Sequence, residues 1–130
     1  PAGGDGRSSD AFPSLAAAES ASGVNHIIYI FEGNTATTPL PGGITLKNGQ
    51  RLWGEGISLA LPTHGVLIAA GNRPRITNTS GSGNGVTVLA NAANGNRTGI
   101  EIRGLHITGT SARGIDALAL NATSLGVRIS

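Results

Sequence analysis

Residues 98–110 read TGIEIRGLHITGT. Aliphatic residues alternate with other types at positions 100 and 102, before the Arg103-Gly104 pair, and at positions 105 and 107, after it. An alternation with a period of two residues is typical of a half-buried strand. Glycine accepts left-handed backbone angles, so Gly104 lets the chain change direction between the two runs. The stretch therefore predicts two short strands joined by a tight corner.

The same pattern recurs between residues 26 and 130. Short aliphatic runs close on Gly, Asn or Thr, as in GITLKNG (43–49) and GVTVLAN (85–91). Segments that begin at Gly65, Gly85 and Gly114 are 20 and 29 residues apart, and each precedes a polar loop and a second alternating run. Such spacing is typical of one coil of a parallel β-solenoid. A β-sandwich is the alternative, because Asn48-Gly49 also suits a two-residue hairpin turn.

The composition excludes several classes of protein. The 130 residues include 21 glycines, no cysteine and four aromatic residues, and only 12% are charged. Without cysteine, the chain has no disulfide framework and no cysteine nucleophile. It has no run of about 18 apolar residues, so we expect no membrane-spanning segment. The nine cationic residues never form a run of three, so we expect no nucleic-acid partner.

The chain divides by pattern into two parts. Residues 1–25 predict a flexible entry and a short capping helix over 14–22, with Ser14 as the N-cap and Gly23 just beyond the end. Residues 26–130 predict the coils. Their first strands are expected at 27–31, 66–69, 86–89 and 115–118. The pattern stops within a strand at residue 130, so we expect no C-terminal cap.

Three stretches resemble the start of large bacterial secreted and surface proteins: GGDGRSSDAFPSLAAAESASGVNHIIYIFEG (3–33), GGITLKNGQRLWGEG (42–56) and GNRPRITNTSGSGNGVTV (71–88). Those proteins carry right-handed parallel β-helices of the pectin-lyase-like superfamily and include autotransporter-like passengers. The resemblance implies an all-β fold, a right-handed parallel β-helix (solenoid) of about three to four coils, with a short N-terminal capping α-helix. It also implies a secreted, extracellular or cell-surface location in a bacterium. The order Phe12-Pro13 reverses the Pro-Phe of the family pattern.

Catalytic chemistry has little support in the sequence. A glycoside hydrolase needs two carboxyl groups that face one cleft, whereas the carboxylates of the strand region are spread out, at positions 32, 55, 101 and 116. Asp116 near Arg113 is the best single candidate, and an exposed corner ion pair is the other reading. His26, His64 and His106 lie too far apart in sequence to predict a metal site. We therefore expect no catalytic residue, no metal and no cofactor.

The strongest functional expectation concerns assembly. An uncapped end exposes strand edges and part of the core, which favours self-association or continuation of the same β-helix. The residues expected at such an interface are Leu15, Ala18, Leu118, Leu120, Val127 and Ile129.

Tyr29 and Trp53 are the large amphipathic aromatics, so they are possible glycan contacts. Trp53 also suits a purely structural position over the loop at 57–64. The leading hypothesis is a non-catalytic structural module of a secreted or surface protein, acting as a stalk, passenger or self-assembling filament subunit. The alternatives are a fragment of a polysaccharide lyase or hydrolase and a glycan- or host-binding adhesin.

Overall fold

A computed structural model describes residues 10–63, 65–90, 99–119 and 127–130. Within these ranges the chain forms one helix, α1 (Leu15–Ala21), and eleven short strands. The strands are β1 (Ile27–Ile30), β2 (Ile44–Leu46), β3 (Arg51–Gly54), β4 (Leu59–Leu61), β5 (Gly65–Ile68), β6 (Arg75–Ile76), β7 (Val86–Ala90), β8 (Ile100–Arg103), β9 (His106–Ile107), β10 (Ile115–Ala119) and β11 (Val127–Ile129).

The N-terminal helix lies where the sequence predicts it. The Ser14 side chain accepts a hydrogen bond from the Ala17 N–H at 3.1 Å, which satisfies one of the free donors of the first turn. The helix ends where the Ser22 N–H donates to the Ala18 carbonyl oxygen. Leu15 is buried in the core, and α1 packs against β2.

The described strands divide among four sheets. The largest has the order β1-β3-β8-β11, and all of its pairs are parallel. A second parallel sheet has the order β10-β7-β2, and a third consists of β6 and β9. The fourth is the antiparallel hairpin of β4 and β5. The core lies between the parallel sheets, where their inward aliphatic residues pack together with Leu15.

The prediction of one right-handed parallel β-helix of three to four coils is wrong. About 35% of the residues are in strands, but these strands form several short sheets. The four segments predicted as equivalent first strands lie in three different sheets: β1 in the four-stranded sheet, β7 and β10 in the three-stranded sheet, and β5 in the hairpin.

The hairpin shows the physical reason for this error. The sequence pattern predicts that the segment 66–69 stacks on a strand distant in sequence. Instead, Gly65–Ile68 folds back onto Leu59–Leu61, with Gly65 at a φ of +67°. Closing a loop of three residues costs less conformational entropy than closing one of twenty. The nearby aliphatic run, Leu59–Leu61, therefore pairs with this strand in place of a distant one.

Candidate functional site

The outer face of the four-stranded sheet carries the larger polar and aromatic side chains. Because successive side chains point to opposite faces, the residues that flank the core row point away from the core. One such row places Tyr29, Trp53 and Arg103 side by side on β1, β3 and β8. The neighbouring row includes Arg51 and Glu101. This face is where the possible glycan contacts, Tyr29 and Trp53, meet.

Trp53 lies on the outer face but is only 8% exposed. Its Nε1–H donates to Glu101 Oε2 at 3.1 Å, and the Arg51 guanidinium carbon lies 5.9 Å from the ring centroid. Tyr29 and Arg103 flank it on the neighbouring strands. Little of the indole is therefore available to stack on a sugar.

Tyr29 is more accessible and forms an aromatic pair. Its ring meets that of Phe31 edge to face, with the centroids 5.2 Å apart. Its hydroxyl donates to the Ile57 carbonyl oxygen at 3.3 Å. Burial, together with the negative charge of Glu55, raises the pKa of Tyr29 above its usual value. Phe31 is 39% exposed, so this pair offers an apolar surface at the edge of the sheet.

Two glutamates that are distant in sequence, Glu32 and Glu55, are joined beside this pair by a hydrogen bond to the main chain. Glu55 Oε2 accepts a hydrogen bond from the Glu32 N–H at 2.7 Å. Glu32 Oε2 accepts one from Asn72 Nδ2 at 3.0 Å. Each carboxylate therefore accepts from a main-chain or amide N–H group of another segment. In this arrangement both carboxylates hold neighbouring chain segments.

A groove of about 600 Å³ runs along β1. Side chains of α1 and of the segment before it form one wall, including Phe12, Leu15 and Ala18. Every residue of β1 and of the turn that follows it lines the rest of the groove, together with Leu40. The lining is mostly apolar. The groove follows the outer edge of a strand that has a single neighbour among the described strands.

The opposite edge of the same sheet is β11. Ile28, Leu52 and Ile102 form a row across β1, β3 and β8, and each is at most 8% exposed. Ile129 continues this row on β11 but is 58% exposed. Among the described strands, β11 pairs only with β8. The sheet therefore presents an apolar residue at an open edge.

The remaining residues expected at an assembly interface lie in different environments. Leu15 is buried in the core, and Ala18 packs against it. Leu118 belongs to β10 and Val127 to β11. Leu120 lies outside the described residues. Of this set, Val127 and Ile129 lie on the edge strand β11, and Ile129 is exposed there.

Asp116 forms a corner ion pair. Its Oδ1 lies 3.5 Å from Arg113 Nη1, and the Arg113 side chain is well exposed. Asp116 Oδ2 accepts a hydrogen bond from Asn84 Nδ2 at 3.1 Å, and Asn84 Oδ1 accepts one from the Arg113 N–H. These bonds tie the turn before β7 to the turn before β10, which is a structural role.

The described histidines do not come together. His26 Nδ1 accepts a hydrogen bond from the Gly23 N–H at 3.0 Å, next to the end of α1. His106 is exposed on β9, and His64 lies outside the described residues. In the described part of the chain, no three His, Asp or Glu side chains are grouped as metal ligands.

Sequence reasoning missed the groove and the apolar hairpin. The hairpin exposes Val66 and Leu67. The sequence contains a signal for this apolar hairpin, because residues 56–72 include no Asp, Glu, Lys or Arg. The groove had no such signal, since its walls come from segments whose packing the pattern alone does not specify.

Comparisons with protein-family models, with curated proteins and with solved structures found no match, so no family is assigned to the chain. Within the described ranges, no helix is long and apolar enough to cross a membrane.

Proposed function

We propose that this chain is a non-catalytic structural module that associates through the open β11 edge of its four-stranded sheet. The observation that carries the proposal is the 58% exposure of Ile129, at the end of a row whose other members are buried. Burying an isoleucine side chain is worth about 1.5–3 kcal/mol. A further strand beside β11 would cover this side chain and pair the free backbone groups of the edge.

The hydrogen bonds of β11 identify which backbone groups point toward a new strand. The Ser130 N–H donates to the Ile102 carbonyl oxygen, and the Gly104 N–H donates to the Ser130 carbonyl oxygen. In a parallel ladder, alternate residues bond to opposite sides. The backbone groups of Val127 and Ile129 therefore face away from β8, on the side where a new strand would pair.

A secreted or cell-surface setting, as stalk, passenger or filament subunit, is part of the proposal. Its support is the sequence resemblance to large bacterial surface proteins. A structural role also agrees with the hydrogen bonds of the carboxylates considered for catalysis. Asp116, Glu55 and Glu101 each hold a neighbouring segment of the chain.

Light scattering coupled to size exclusion, over a wide range of chain concentration, tests the association. We expect the mass of the wild-type chain to rise with concentration. Ile129→Lys places a charge on the open edge, which should keep the chain monomeric. Val24→Lys is the matched control, because Val24 is 55% exposed but lies outside the sheet. A wild-type chain that stays monomeric at all concentrations would overturn the proposal, and so would equal effects of the two lysine variants.

Glycan binding on the outer face is a second candidate function. The observation that favours it is the edge-to-face pair of Tyr29 and Phe31, with Phe31 accessible and the Glu32 carboxylate following directly in the chain. Sugars pack their C–H groups against aromatic rings and donate their O–H groups to carboxylates. A glycan array probed with wild type and Phe31→Ser tests it. Hits that Phe31→Ser loses would support binding at this pair, and an array without hits would exclude it.

A further inference from the structure

We infer that the partner at the β11 edge is a second copy of this chain, which receives β11 in the groove along β1. The inference rests on the proposed association at β11 and adds the receiving site to it. The two sites are the opposite edges of one parallel sheet. A second copy placed beside the first without rotation would therefore meet β11 with a strand of the same polarity.

The backbone groups of β1 meet the requirement of such pairing. The Arg51 N–H donates to the His26 carbonyl oxygen, and the Glu55 N–H donates to the Ile30 carbonyl oxygen. Even-numbered residues of β1 thus bond to β3. By the alternation of a parallel ladder, the backbone groups of Ile27 and Tyr29 face the groove.

These groove-facing groups match those of β11 in one register. Ile129, whose groups face outward, can donate to the carbonyl oxygen of Ile27 and accept from the N–H of Tyr29 on the second copy. That pairing places Ile129 beside Ile28 of the second copy. Since Ile28, Leu52, Ile102 and Ile129 already form one row, the same register continues both the hydrogen bonds and the aliphatic row.

The groove has room for an added strand. It extends along the whole of β1, holds about 600 Å³ and is lined mainly by apolar groups. Helix α1 packs against β2, and residues of α1 line the groove together with β1. Two bonds hold this position: Lys47 Nζ donates to the Glu19 carbonyl oxygen, and Glu19 Oε2 accepts from the Thr45 N–H. The helix therefore forms a wall beside the edge without closing it.

The charges of the two surfaces are complementary. The lining of the groove carries one carboxylate, Glu32, and no lysine or arginine. Strand β11 carries one arginine, Arg128, and no carboxylate. A strand with a positive charge therefore enters a groove with a negative charge. A two-fold pairing of β11 with β11 would instead bring two arginines to one contact.

The arrangement is head to tail, so it does not close. Each added copy leaves one β11 edge and one groove free for the next, which produces a linear series of chains. A two-fold β11 contact would stop at a dimer. The two arrangements therefore differ in the mass of the assembly. They also differ in the surfaces used, since the head-to-tail series needs both β11 and the groove whereas the two-fold dimer needs β11 alone.

The test uses two variants that each lose one surface. Ile129→Lys blocks the β11 edge and leaves the groove intact. Tyr29→Pro removes the N–H that faces the groove and leaves β11 intact, and a proline is tolerated on an edge strand where the N–H points outward. Tyr29→Ala is the matched control, because it removes the same side chain but keeps the N–H. Phe31→Lys, at an exposed groove residue, is the second groove variant if Tyr29→Pro does not fold.

We expect wild type and Tyr29→Ala to form species larger than a dimer. Each blocked variant alone should be monomeric, with self-association at least tenfold weaker than that of wild type. An equal mixture of Ile129→Lys and a groove variant should form a one-to-one complex, because one productive contact remains. Raising the salt concentration should weaken this complex.

The outcomes separate the two proposals. If wild type is monomeric, the proposed association at β11 fails and this inference fails with it. If wild type associates and the groove variants associate equally well, β11 pairs elsewhere and only the groove assignment is overturned. A wild-type dimer that does not grow further, or a mixture without a one-to-one complex, would likewise favour two-fold pairing over the groove.

Discussion

Glu101 on β8 accepts a hydrogen bond from the indole N–H of Trp53 on β3, at 3.1 Å. The two residues are 48 positions apart in sequence and lie on the outer face of the sheet. Because Trp53 is only 8% exposed, water has little access to this donor. The carboxylate therefore satisfies a polar group that would be costly to leave unpaired.

Removing this acceptor should destabilise the fold. We expect Glu101→Ala to lower the free energy of unfolding by about 1–3 kcal/mol, the usual cost of an unsatisfied buried donor. Glu101→Gln keeps an acceptor oxygen and should lose less than half as much. Urea unfolding followed by fluorescence measures both, since Trp53 is the single tryptophan. Equal losses for the two variants would contradict this account.

Gln50 should be among the most sensitive polar positions. Its side chain is fully buried, and its Nε2 donates to Ser22 Oγ and to the Gly23 carbonyl oxygen, both at 2.9 Å. Its Oε1 accepts from the Lys47 N–H at 2.7 Å. We expect Gln50→Ala to cost about 2–4 kcal/mol through the cavity and the lost bonds. Thermal unfolding by circular dichroism is the measurement. The exposed helix variant Ser20→Ala should change little, and a similar loss there would count against the prediction.

Gly54 should not accept a side chain. A methyl group there would run into the Gly104 carbonyl oxygen and the Leu105 side chain. We expect Gly54→Ala to destabilise the protein by about 1–3 kcal/mol. At Gly81, nothing lies within 4 Å of an added methyl group. Gly81→Ala should therefore leave stability unchanged or raise it by up to about 1 kcal/mol. Chemical unfolding of the two variants measures both changes in stability. A larger loss for Gly81→Ala than for Gly54→Ala would contradict the close packing at Gly54.

Alkaline pH should weaken the fold through Tyr29. Its pKa is raised by burial and by Glu55, so the folded state holds the phenolic proton more tightly than the unfolded state does. The resulting stabilisation is fully present below the unfolded pKa of about 10 and is lost as pH rises through the folded pKa. Tyr29→Phe should remove this part of the pH dependence. Ultraviolet titration reports Tyr29 directly, since it is the single tyrosine. A midpoint at or below that of the unfolded chain would contradict the prediction.

Asp116 should contribute little to stability. The Arg113 partner is mostly exposed, and ion pairs of this kind are worth about 0–1 kcal/mol. Asp116→Asn also keeps an oxygen that can accept from Asn84. We expect a change in unfolding free energy below about 1 kcal/mol, measured in urea. A loss well above that value would show that the Asn84 and Arg113 contacts act as a tightly coupled set.

Local features of this fold could be predicted from the sequence. The helix follows from Ser14, because an N-cap acts within its own turn. The alternation at 100–103 matches the observed burial of Ile100 and Ile102 in β8. In both cases the sequence pattern and the structural feature that it predicts involve residues that are close together in the chain.

The pairing of distant segments could not be predicted in the same way. The partner of Gly65–Ile68 depends on a competition between strands that the pattern does not rank. The burial of Trp53 depends on side chains from another strand, including Glu101. Likewise, the meeting of Glu32 and Glu55 depends on how β1 and β3 pair.

The way α1 is held has a consequence for the order of events during synthesis. A helix of seven residues is too short to be stable alone in water. The bonds that hold it come from Thr45, Lys47 and Gln50, which follow their helix partners by 26 to 28 residues. The segment that forms the helix therefore leaves the ribosome before the residues that hold it in place have folded. We expect it to stay unfolded until the turn between β2 and β3 has emerged.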